Sequence, residues 1–67
     1  MTEFTLGEKL RMLRHRCGYN IAEIAEKIGV SPAYISMLET NRKSNPSIDV
    51  LMSLADIYGI YLSYLLT

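Results

Sequence analysis

Apolar residues recur along this chain with a helical period, and small polar residues and glycines divide the pattern into five segments. Thr5 and Glu8 stand at capping-box spacing around Leu6, which predicts a first helix running to Cys17 and stopped by Gly18. Leu6, Leu10, Leu13 and Cys17 form its expected buried stripe. Ser47, with Asp49 in the first turn behind it, opens a fourth helix that Gly59 ends. Ile48, Leu51, Leu54, Ala55 and Tyr58 are its inward candidates, and 60–66 reads as a last short helix or turn. Ile60, Leu62 and Leu65 are expected to fill the base of the bundle. Thr40–Pro46 is a polar loop.

The stretch IAEIAEKIGVSPAYISMLE, 21–39, says the most. Asn20 and Glu23 make a second capping box, and Ile21, Ile24, Ala25 and Ile28 form one apolar stripe. Gly29 suits the left-handed conformation that ends a helix. Ser31 then caps a third helix with Pro32 at its first position, where the missing N–H costs nothing, and Ile35 and Leu38 supply the buried side. Two helices of about two turns each, joined by a short turn containing glycine, are the pattern whose second helix enters a DNA major groove.

Composition limits the alternatives. The 67 residues read as one domain, 1–67, with the helix-turn-helix at about 20–39. The 49% apolar content suffices for a compact helical core. A single cysteine excludes an internal disulfide and any cysteine-based zinc site. No phosphate-cradling glycine loop, metal-ligand cluster or nucleophile with a base nearby is present, so neither catalysis nor a cofactor or small-molecule ligand is expected. With no signal peptide or membrane-spanning run, a cytosolic, bacterial or phage-type protein is the expectation. Lys plus Arg and Asp plus Glu number seven each, which argues mildly against nucleic-acid binding. Their placement softens that objection. Lys9, Arg11, Arg14, His15 and Arg16 have no acid among them, Arg42–Lys43 add a second basic point, and 44–67 carries only Asp49 and Asp56.

With those residues placed, the chain resembles the Cro/C1-type helix-turn-helix family of bacterial and phage transcriptional regulators. The likeness runs from LGEKLRMLRHRCGYN through the 21–39 segment to NPSIDVLMSLADIYGIYLSYLL. It implies an all-α, lambda-repressor-like bundle of five helices that binds double-stranded DNA, usually as a dimer on paired half-sites. It also implies an ion pair between Arg14 and Glu39, joining the first helix to the end of the third. Arg14 is accordingly read as structural, and Lys9, Arg11 and Arg16 as a solvated face.

Two departures from the family stand out. At Ile21 the family often has a glutamine that holds a phosphate, so at Asn20 and Ile21 the backbone N–H groups are left to grip it. The exposed positions of the third helix are unusually apolar, which makes hydrogen-bonded base readout sparse. Pro32 and Ala33 suit thymine methyls, Tyr34 and Ser36 base edges or phosphates, and Ser31 and Met37 complete the candidate DNA-contacting set. Asn41, Arg42 and Lys43, just past that helix, are candidates for phosphate contact. Cys17 is expected in the core and His15 on the surface, uninvolved. Tyr58, Tyr61 and Tyr64 give the C-terminal end more aromatic surface than a small monomer readily exposes, which points to a homodimer interface with Tyr61 and Tyr64 outermost. The expected function is a sequence-specific regulator, a repressor by default since no activation segment is visible. Two alternatives remain: a protein-interaction module that kept the fold and lost DNA binding, and an antitoxin or restriction-controller component.

Overall fold

A computed structural model describes residues 3–43 and 45–67. It holds five helices: α1 (Leu6–Cys17), α2 (Ile21–Ile28), α3 (Pro32–Glu39), α4 (Ile48–Tyr58) and α5 (Leu62–Leu66). The caps are made as the sequence proposes. Thr5 Oγ1 accepts from the Glu8 N–H at 3.2 Å while Glu8 accepts from the Thr5 N–H at 2.8 Å. Asn20 and Glu23 repeat the exchange at 2.8 and 2.9 Å. Ser31 and Ser47 cap α3 and α4 through the N–H groups of Tyr34 and Val50. Four helix starts are thus fixed by side chains that follow their own sequence by three residues, before any tertiary packing is considered. The turn from α2 to α3 needs the one residue type that reverses a helix without strain: Gly29 sits at φ +75°.

The inward faces of all five helices meet in one core: Leu10, Leu13, Ile24, Ala25, Ile35, Leu38, Leu51, Leu54, Ala55, Tyr58 and Leu65. Ile21, Ile28, Ile60 and Leu62 are half-buried at its margin. Among the described residues there is no strand, no helix long and apolar enough to cross a membrane, and no group of side chains able to hold a metal.

Several expectations are corrected. Cys17 is exposed. It shares the angular position of Leu10 and Leu13, but it is the last residue of α1, at the point where Gly18 turns the chain away. Ile48 is 52% exposed, because it opens α4 at the edge of the helix's inward arc. Tyr58 is 4% exposed and belongs to the core, which removes it from any dimer surface. Burial pushes its phenol well above the usual range, reinforced by the nearby Glu39 carboxylate. Lys9 is not solvated: it is 7% exposed, and its ammonium donates to the backbone oxygens of Tyr64 and Thr67, each at 2.9 Å. Its stem crosses the helix interface, and its charge meets the carbonyl end of α5 (a short helix with no side-chain cap at its start).

Candidate nucleic-acid interface

Seven of the eight residues of α3 divide by face. Ile35, Leu38 and Glu39 point into the bundle, while Pro32, Ala33, Ser36 and Met37 are exposed, Met37 at 39%. At 100° per residue the exposed four span a continuous arc that also contains Thr40. Tyr34 stands at the border, half-buried against the core, with the Lys43 ammonium 5.4 Å from its ring centroid. That distance is a cation–π contact, and it holds a positive charge beside the helix.

The orientation of this helix is set by polar contacts at its C-terminal end. Arg14 of α1 grips Glu39 with two charge-assisted bonds, Nε to Oε2 at 2.7 Å and Nη2 to Oε1 at 2.9 Å. Its remaining nitrogen donates to the Tyr19 carbonyl at 3.0 Å, so the guanidinium ties α3, α1 and the α1–α2 turn together. The bond to Glu39 raises the Arg14 pKa further, outweighing burial. His15, exposed, lies 3.4 Å from the same guanidinium through a ring nitrogen.

Gly7, unmarked by the sequence reading, lies where α1 crosses the end of α3. A Cβ there would come within 2.5 Å of the Leu38 carbonyl oxygen and 2.6 Å of that of Glu39. The Asn41 side chain also belongs to this junction. Its Oδ1 accepts from the Gly7 N–H at 3.1 Å, and its Nδ2 donates to Thr5 Oγ1 at 3.0 Å. The residue adopts φ +62°, a conformation that asparagine tolerates better than most. Asn41 is therefore a structural staple: its side-chain oxygen and one N–H of its amide are engaged by α1 and the residue before it. The N–H groups of Arg42 and Lys43 both donate to the Met37 carbonyl, leaving their exposed side chains to project from the loop. Ser44, within the expected polar loop, lies outside the described residues.

A helix-turn-helix family model matches residues 10–65, more than half of the chain. The chain belongs to the Cro/C1-type helix-turn-helix family. SinR, a transcriptional regulator of Bacillus subtilis, is 34% identical over 61 residues, which is 91% of this chain and 55% of SinR. The regulator DdrOP3 of Deinococcus deserti is 46% identical over 55 residues, 82% of this chain and 42% of that protein. This chain thus spans about half the length of the curated relatives it matches. Among solved structures, SinR in complex with DNA superposes with a TM-score of 0.87 at 33% identity, covering 94% of this chain and 100% of that one. The fold is that of lambda-repressor-like DNA-binding domains, and the relatives are regulators rather than enzymes.

Within this Cro/C1-type framework, Ile21 opens α2 as a half-buried residue packed on the core margin, and the Asn20 carbonyl oxygen of its side chain is engaged by Glu23. Gly7 was the findable omission. A glycine inside a helical pattern costs about 1 kcal/mol against alanine and so asks for a packing reason, which the first segment alone does not supply.

Proposed function

We propose that this chain is a sequence-specific transcriptional regulator that binds duplex DNA by placing α3 in the major groove. The observation that carries the reading is the outward arc of Pro32, Ala33, Ser36 and Met37, fixed from behind by the Arg14–Glu39 pair. It acts as a repressor on an inverted repeat, two copies setting their α3 helices roughly 34 Å apart in successive grooves. SinR is a transcriptional regulator solved in complex with DNA, and the P22 c2 repressor is solved on a synthetic operator. Both support the assignment.

The chemistry of the arc sets the mode of readout. Pro32, Ala33 and Met37 offer apolar surface suited to thymine methyls, and Ser36 is the one side chain among these four with a hydrogen-bonding group. DNA shape and deformability then carry much of the discrimination. Arg42, Lys43 and the start of α2 at Asn20 and Ile21 hold the backbone. Tyr61, 86% exposed, and Tyr64 present the dimer surface.

Selection of bound sequences from random duplex DNA tests the reading. A two-fold symmetric site with half-sites about one helical turn apart is the expected result. The zero net charge favours the rival, an interaction module without DNA affinity. Titration with salt separates them: a regulator loses affinity steeply, whereas recovery of no enriched sequence together with salt-independent, negligible binding defeats the proposal.

A further inference from the structure

A second polar feature adjoins the outward arc of α3. A cleft of about 240 Å³ opens between α1, the start of α2 and the end of α3, lined by Arg11, Arg14, Ile21, Ser36, Glu39 and Thr40. Its wall on the α3 side is Ser36 and Thr40, the middle of the arc assigned to DNA. Its floor is the Arg14–Glu39 pair, which is internally neutral and has both carboxylate oxygens occupied by Arg14. Ile21 supplies an apolar side. Arg11 is exposed at the rim and forms no ion pair among the described residues, so the cleft carries one uncompensated positive charge in a chain of zero net charge.

The geometry points to Arg11 as a phosphate-binding residue that seats one DNA backbone phosphate in this cleft. The inference rests on the DNA-binding reading above and adds a contact to it. Three features fit a phosphodiester. A guanidinium offers paired N–H donors to its two free oxygens. The Ser36 hydroxyl, on the opposite wall, makes no hydrogen bond among the described residues and is open to donate. Arg14 prevents the one nearby carboxylate from repelling the anion. With α3 in the groove, the Ser36–Thr40 wall faces the duplex, which brings the rim of α1 to the adjoining strand.

The test compares the salt dependence of duplex binding by the unaltered chain with that of Arg11→Ala, Arg11→Lys and Lys27→Ala. Lys27 is an exposed cation in the last turn of α2, the opposite end of that helix from Ile21, so its removal makes the same charge change away from the cleft. Arg11→Ala is expected to lower the slope of log affinity against log salt by about one and to weaken binding about tenfold. The loss is the same on selected and on mixed-sequence duplexes, because phosphates carry no sequence. Arg11→Lys retains the slope, and Lys27→Ala leaves it unchanged. An unaltered slope in Arg11→Ala, or an equal drop in Lys27→Ala, overturns the assignment while leaving the DNA-binding reading intact. Absence of duplex binding by the parent chain overturns both.

Discussion

The two ends of this bundle are held by different kinds of force. Where α1 meets α3, the contacts are polar and directional: Arg14 on Glu39, Asn41 on Gly7 and Thr5, and two carbonyls packed against a bare glycine Cα. Where α4 meets α5, the core contacts are apolar, with Leu54, Ala55, Tyr58 and Leu65, and Lys9 of α1 clasps the end of α5 from the side. Dispersion and apolar burial are non-directional and tolerate small shifts, whereas a bidentate ion pair fixes a helix in rotation as well as position. The end that carries α3, the helix proposed to read DNA, is the one under directional control. On the proposed function, an α3 misplaced by a fraction of a turn would present the wrong side chains, and an apolar seam alone would not prevent that.

Removing the anion from the polar end is the strongest way to break this contrast. Glu39→Ala leaves the Arg14 guanidinium buried without its partner, and a loss of roughly 3–5 kcal/mol is expected. In a chain of 67 residues that is a large part of the total stability. Replacing both members, Arg14→Met with Glu39→Leu, should restore most of the thermal midpoint while impairing DNA affinity. Stability and affinity recovering together would show that the pair contributes only packing, and that directional control of α3 lies elsewhere.

Gly7→Ala applies a smaller force at the same junction. The added methyl meets two backbone carbonyls, which cannot swing aside as a flexible side chain could, so α1 must lift from α3. Destabilisation of about 1–3 kcal/mol is expected from chemical denaturation, despite alanine's higher helix propensity. A gain in stability would mean that the α1–α3 approach is looser than the structure has it.

Sequence exposed this architecture unevenly, and for a physical reason. Helix starts were legible because Thr5, Asn20, Ser31 and Ser47 act within three residues of themselves, and local chemistry leaves a local signature. The outward arc of α3 was legible because burial of Ile35 and Leu38 leaves only one face for Pro32, Ala33, Ser36 and Met37. Lys9 was misread, and the stapling role of Asn41 was missed, because their partners lie 55–58 and 34–36 residues away. A lysine on a helix looks solvated until the chain end it clasps is located. Cys17 failed in the opposite sense: its periodicity was right, but periodicity does not say where the covering elements stop.

The apolar end yields the smallest effect on the folded chain and a larger one between chains. Tyr61 makes no side-chain hydrogen bond among the described residues and is 86% exposed, so Tyr61→Ser should change unfolding stability by less than about 0.5 kcal/mol. If Tyr61 and Tyr64 form the contact between two copies, the same substitution should weaken self-association by roughly tenfold or more, since exposed tyrosines that become buried at an interface often dominate its energy. Sedimentation over a range of concentrations measures this directly, and affinity for a full palindrome against a single half-site measures its consequence on DNA. A serine variant that still favours the palindrome as strongly as the parent chain would place the two-fold contact elsewhere. The α5 end would then be an exposed apolar surface with no part in pairing, and the contrast with the polar end would concern internal packing alone.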